Sequence, residues 1–294
     1  MAKNKYDTVA FIYDFDGTLS PDNMQEYGFI KAIGKNADEF WTENARLSKD
    51  NDASNILCYM NLMIKMAQTN NISLKRESFQ RFGNDVELFE GVKQWFARIN
   101  SYGRSKGLDV KHYIISSGLK EMIEGTAIAG EFEKIFACSF LYNIDGVAYW
   151  PAVAVDYTAK TQFLFKINKG INEVSDNSRI NEYKPEDERP VPFTSMVYFG
   201  DGETDVPCMK MIKEHGGHAV AVYKPKDARR KKKALQLISD GRANFVSPAD
   251  YSEGREIDRI AHIILDKIAV DLQINKLLKE HTKRAELQNN TPRQ

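Results

Sequence analysis

Asp14 and Asp16 lie two residues apart in DFDGTL (14–19), directly after the apolar run Val9, Ala10, Phe11, Ile12 and Tyr13. A short apolar run of this kind reads as a buried strand, so the two carboxylates hang from its carboxyl end. Open α/β sheets bind their ligands at that edge. Like charges so close together need a compensating cation or a shared proton. Gly17 lets the backbone turn sharply, and Thr18 offers a hydroxyl and an amide to an anion. Taken alone, the hexamer fits an acidic strand-to-helix turn equally well.

Three later segments supply groups that such a pair needs. The first is ISSGL (115–119), where Ser116 brings a hydroxyl and Ser117 and Gly118 bring amides to a strand end. An isolated Ser-Ser-Gly more often caps a helix. The second is Lys160 in TAKTQFLF (158–165), which composition alone would leave solvated at the start of a helix. The third is FGDGETDVP (199–207), with Asp201 and Asp205 on a turn that Gly200 and Gly202 open to close approach. Its bland counterpart is a type I turn followed by a helix cap. Carboxylates four apart can address one cation directly and through its water shell, and hard oxygen donors without neighbouring Cys or His favour magnesium over zinc or copper.

In this order, DFDGTL, a strand ending in Ser116, Lys160 and GDGETD resemble the four motifs of the haloacid dehalogenase superfamily, most of whose members are phosphatases. The resemblance spans residues 9 to about 222, and the region after the first motif resembles the helical cap of the phosphoserine-phosphatase-like branch. It implies a Rossmann-like α/β core, a mobile cap and Mg2+. Carried over, Asp14 is the nucleophile and Asp16 the general acid and base. Asp14, Asp16 (through its backbone carbonyl) and Asp201 ligate the metal, Asp205 stands behind them, and Thr18, Ser116 and Lys160 bind the transferring phosphoryl group.

The implied activity is magnesium-dependent hydrolysis of a small phosphomonoester through an aspartyl phosphate. Transfer to another alcohol, or binding of a phospho-ligand without turnover, are the alternatives. Family dehalogenases carry another residue at the place of Asp16, and the ion pumps carry lysine in place of Phe15, so phosphoryl transfer without a membrane is implied. Asn23 stands where the phosphoserine enzymes have glutamate and Thr204 where they have asparagine, which leaves the substrate open.

The elements that must position these groups are legible in outline. Apolar strands at 9–13, 110–115, 135–139, 195–199 and 218–222, with 244–246 as a sixth, alternate with helical patterns, the signature of parallel βαβ units. The reading assigns residues 1–20 and 88–294 to the catalytic core and 21–87 to an inserted helical cap. In that insertion Ile56, Tyr59, Met60, Met63 and Met66 recur at helical steps, and Tyr27, Phe29, Phe40 and Trp41 read mainly as packing. A helix over 88–102, with Gly103 and Gly107 at its exit, returns the chain to the sheet. YNIDGVAY (142–149) reads as a hairpin and 170–193 as a surface loop. The basic run 229–233 opens an amphipathic helix, and 257–278 reads as a packing helix before a polar, fraying tail at 279–294.

Composition excludes several classes. Lys plus Arg and Asp plus Glu both number 41, so no global field recruits nucleic acid or an anionic membrane. Cys58, Cys138 and Cys208 are odd in number and far apart, which suits a reducing compartment rather than a disulfide framework. No signal core or membrane-length apolar stretch is present. The expected setting is the cytoplasm and the expected partner a small phosphorylated metabolite; oligomeric state stays open.

Overall fold

The computed structural model describes residues 6–289. Seven strands form one sheet: β1 (Asp7–Tyr13), β2 (Leu108–Leu119), β3 (Lys134–Tyr142), β4 (Ala148–Val153), β5 (Met196–Gly200), β6 (His218–Tyr223) and β7 (Phe245–Pro248). Their spatial order is β4-β3-β2-β1-β5-β6-β7, and every neighbouring pair is parallel except β3 with β4, which form the expected antiparallel hairpin. With helices on the sheet this is the Rossmann-like α/β architecture. Residues 9–13 of β1 are wholly buried, which is why that strand is continuously apolar rather than alternating.

β1 lies where the strand order reverses, with β2 on one side and β5 on the other. Tyr13 is level with Ile114 and with Phe199, so the loops leaving these three strands start together. That switch point is where an open sheet leaves a crevice for ligands.

Five helices follow β1: α1 (Met24–Tyr27), α2 (Phe29–Ala32), α3 (Ala37–Asp50), α4 (Asn55–Thr69) and α5 (Arg76–Gly83). A capping box between Asn36 and Glu39 starts α3, and Ser54 caps α4. The stripe Ile56, Tyr59, Met60 and Met63 is buried along α4, and Phe29 and Phe40 are fully buried, so most of this region's Met and aromatic content is packing. Phe79 of α5 stacks on Phe140 of β3 with centroids 5.5 Å apart. Leu74 O accepts from Ala148 N at 2.9 Å, which ties the helical segment to the hairpin.

The chain returns through α6 (Val92–Ser105), which starts four residues later than the sequence reading places it. The reason is Gly91, at φ +79°, packed so closely on Tyr251 and Ser252 that a Cβ would lie 2.3 Å from Ser252 N. Gly103 is inside this helix rather than at its exit, where its bare face admits Val110. Phe89 N donates to Leu19 O at 2.9 Å, so the two crossings between the sheet and the helical segment touch. Tyr251 holds both: its hydroxyl donates to Thr18 O and its amide to Glu90 O.

The remaining helices are α7 (Lys120–Glu124), α8 (Thr161–Lys169), α9 (Val206–Glu214), α10 (Ala228–Ser239) and α11 (Glu256–Asn289). The segment 170–193 is coil with short 3-10 turns, held to α8 where Lys166 and Lys169 donate to backbone carbonyls of the loop. α11 corrects the expectation of a tail fraying from residue 279, since it stays helical to Asn289, although residues 273–288 are exposed. Residues 290–294 of that expected tail lie outside the described residues. Among the described residues no helix is long and apolar enough to cross a membrane.

One polar chain runs through the core beneath β1. Trp95 Nε1 donates to the Tyr13 hydroxyl at 2.8 Å, that hydroxyl donates to His112 Nδ1 at 3.0 Å, and His112 Nε2 reaches Asn100 Oδ1 at 3.0 Å. Burial, with a smaller push from Lys111, lowers His112 to about 3, so the ring is neutral and each group has a partner.

Candidate active site

The DFDGTL turn is built around one carbonyl. Asp14 N still pairs with Phe199 O at 2.9 Å, and the amides of Thr18, Leu19 and Ser20 then fold back onto Phe15 O. The Thr18 amide, expected to be free for an anion, is thus used within the turn. Gly17 takes φ +76° and lies against Asp201, where a Cβ would sit 2.1 Å from Oδ2. Gly200 makes the same room for Asp205, whose Cγ would be 2.6 Å from an added Cβ. The glycines form a cradle that lets two strand-end turns bring their carboxylates together.

Lys160, which composition alone left in solvent, is fully buried at the end of the turn Tyr157–Lys160. Its Nζ lies 2.7 Å from Asp205 Oδ1 and 3.1 Å from Asp14 Oδ1. Asp205 also accepts from the Tyr198 hydroxyl at 2.7 Å and from Gly202 N at 3.3 Å, so both of its oxygens are engaged. Desolvation alone would push the ammonium down, but Asp14 and then Asp205 outweigh it and hold Lys160 above its ordinary value.

Four carboxylates face this one lysine. Burial first, then the charge of Asp205, raises Asp14 to about 7, and the same two causes raise Asp201 to about 8. Burial and the nearby Asp14 charge also lift Asp16 well above the carboxylate range. Carboxylate oxygens of Asp14, Asp201 and Asp205 lie within 4.8 Å of one another. With Asp205 occupied by Lys160 and Tyr198, Asp14 and Asp201 are the carboxylates left to a cation. An all-oxygen donor set in a cradle that a Cβ would fill fits a hard divalent ion such as magnesium.

Asp16 is aimed differently. Met24 N donates to its Oδ1 at 2.9 Å, while Oδ2 lies against Gly118. Ser116 Oγ accepts from Gly118 N at 3.0 Å, so that amide is not exposed as expected, but the hydroxyl proton is left free to donate. Thr18 is buried, and its Oγ1 has no partner.

Between these strand ends and the helical segment lies a cavity of about 410 Å³. Asp14, Asp16, Ser116 and Asp201 line it from the sheet, together with Thr204; Thr18, Lys160 and Asp205 stand behind that wall. Asn23 lines the opposite side with Trp41, Ile56 and Tyr59, which the sequence reading took mainly as packing, and with two residues that it passed over, Gln25 of α1 and Asn44 of α3. Tyr59 donates to Ser117 O at 2.7 Å and so joins α4 to the Ser116 loop. Gln25 and Asn44 are buried, and the side-chain oxygens Oε1 and Oδ1 have no partner. Leaving such a group unpaired costs about 1–3 kcal/mol. Nothing local marks them, because an Asn or Gln on an amphipathic helix reads as a solvated face until the fold puts something over it.

A model of the haloacid dehalogenase-like hydrolases matches residues 11–210. The chain is 29% identical over 295 residues to an uncharacterised protein of Borreliella burgdorferi, covering 90% of this chain and 98% of that one. A substrate-bound phosphoserine phosphatase structure superposes with a TM-score of 0.51 at 16% identity, covering 86% of this chain and 97% of that one. A hydrolase from Salmonella enterica serovar Typhi gives 0.53 at 15% identity, with coverages of 89% and 73%. At these identities the structural likeness is one of fold.

Proposed function

The chain belongs to the haloacid dehalogenase-like hydrolases, and from that premise we propose that it is a magnesium-dependent phosphatase that cleaves a small phosphomonoester through a phosphorylated Asp14. The observation that carries the reading is the buried Lys160, bonded to Asp205 and paired with Asp14 at 3.1 Å beside a cavity that Asp16 and Ser116 also line. Asp14 and Asp201, with the Asp16 carbonyl, would hold magnesium, which supplies positive charge against the phosphoryl oxygens and the nucleophile.

Asp14 attacks phosphorus in line with the ester oxygen, and the P–O bond to the leaving group breaks as the Asp14 O–P bond forms. Lys160 offsets part of the burial that raises Asp14 and favours its carboxylate form, and the Ser116 proton binds the phosphoryl oxygens. Asp16, held by Met24 N and raised by burial, is protonated when substrate arrives and gives its proton to the leaving oxygen. Ionised by that step, it takes a proton from water as the water oxygen attacks phosphorus, and the Asp14 O–P bond breaks to release phosphate and restore the Asp14 carboxylate. The helical segment 21–87 acts as a cap that encloses the leaving group. The free Cys58, Cys138 and Cys208 suit work in the reducing cytoplasm.

The test is hydrolysis of aryl and metabolite phosphomonoesters with magnesium or with chelator, together with acid-quench trapping of labelled phosphoenzyme. The expected result is magnesium-dependent release of phosphate and an acid-stable label in the wild type that Asp14→Asn abolishes. Turnover retained by Asp14→Asn, or inertness of the wild type to the whole panel, would overturn the proposal.

A further inference from the structure

The helical segment is joined to the sheet by more than its two chain crossings. Gly83 of α5 and Gly125 just after α7 bring backbone against backbone: an added Cβ would lie 2.0 Å from Met122 O at the first and 1.9 Å from Gln80 O at the second. Packing that close leaves no layer of side chains to slide or part. Lys75 pairs with Val147 in an antiparallel bridge beside the bond from Ala148 N to Leu74 O, and Phe79 stacks on Phe140 with both rings buried. Arg76 lies 4.1 Å from the centre of the Tyr142 ring and 3.4 Å from Glu121, a wholly buried carboxylate that also accepts from the Tyr142 hydroxyl at 2.8 Å.

The near end of the segment is tied at the catalytic turns themselves. Met24 N holds Asp16 Oδ1, and a Cβ on Gly118 would lie 2.1 Å from Met24 Cε, so α1 rests directly on the Ser116 loop. Tyr59 of α4 bonds Ser117 O in that loop. Gly28, between α1 and α2, is pressed on Phe82 of α5, where a Cβ would lie 2.7 Å from Cδ1, so both ends of the segment share one joint. Lifting it would strip Asp16 of the donor that aims it. The cavity has another way in: exposed Asn23 and Asn55 of the helical wall and half-buried Thr204 and Arg230 of the core line it together, so it reaches solvent between them.

We propose that segment 21–87 is a fixed roof rather than a swinging lid. α5 stays joined to α7 and the β3–β4 hairpin while ligand enters through the mouth between Asn23, Asn55, Thr204 and Arg230, and the roof holds Asp16 and the Ser116 loop in place. The joint stands whichever ester is bound, while the service to Asp16 rests on the phosphatase reading above.

A covalent lock tests it. Lys75 and Val147 form a non-hydrogen-bonded antiparallel pair, flanked by the Ala148–Leu74 bond, and the Cα atoms of such pairs lie about 4.5 Å apart, within disulfide reach. Lys75→Cys with Val147→Cys is expected to oxidise to a bridge, read by thiol count. The oxidised enzyme is expected to keep kcat and kcat/KM, for the ester that the wild type hydrolyses fastest, within twofold of the reduced form. Wild type given the same oxidant controls for Cys58, Cys138 and Cys208. A tenfold fall that reductant reverses, or failure of the bridge to form, would overturn the fixed roof. A second readout needs no turnover. The Ala148 amide, which donates across the joint, is expected to exchange its hydrogen at least a hundredfold slower than an unprotected amide, with and without magnesium and orthovanadate; faster exchange in either state would overturn the proposal. Slow exchange in a protein that hydrolyses nothing would uphold the roof and overturn the phosphatase.

Discussion

Gly17 shows how little room the DFDGTL turn has. Its φ of +76° is one that side chains rarely adopt, and an added Cβ would enter the Asp201 carboxylate. Gly17→Ala is therefore expected to displace Asp201 or twist the Asp14 turn and to lower kcat about a hundredfold. Magnesium titrations of kcat, with circular dichroism showing a folded chain, check it; near-normal kcat would mean the cradle is slack. Asp14, Asp16, Asp201 and Asp205 were legible only as a set, because each turn alone fits an ordinary acidic cap and it is their order along the chain with Ser116 and Lys160 that singles them out. Lys160 was legible only through its companions, since an ammonium at a helix start looks the same whether buried or wet. Gln25 and Asn44 had no sequence signal, because what sets them apart is the absence of a partner, which is a property of the folded environment.

At the level of elements, the contact among β1, β2 and α6 makes a prediction of its own. His112 is held neutral down to about 3, whereas in the unfolded chain it takes up a proton near 6.5. Between those values the unfolded state binds more protons, so stability falls as pH drops from about 6.5 towards 3, by at most about 1.4 kcal/mol per unit from this group. His112→Gln should flatten the slope of unfolding free energy between pH 6.5 and 5 by about that amount, measured by urea denaturation at each pH. Equal slopes in the two proteins would remove His112 as the source. The buried strands were readable because burial on both faces makes them continuously apolar. Helix limits were less so: α6 starts late because Gly91 is pressed against Tyr251 and Ser252, a contact 160 residues away in the chain that no local pattern encodes.

The whole molecule balances its 41 acidic and 41 basic residues, yet concentrates Asp14, Asp16, Asp201 and Asp205 around one lysine. A cation that binds only the folded chain should stabilise it globally, by about 2.7 kcal/mol at a hundred times its Kd. Thermal unfolding is thus expected at higher temperature in magnesium than in chelator, with the difference much reduced in Asp201→Asn. Coincident curves for the wild type would argue against a cation at this edge. The hydrogen bond from Phe89 N to Leu19 O has a bearing on ancestry. The chain enters and leaves the whole intervening stretch at a single doorway, so one helical lodger can be exchanged for another without re-registering a strand. Leaving-group preference and phosphoryl transfer would then sit on separately replaceable parts of one gene, free to drift at different speeds.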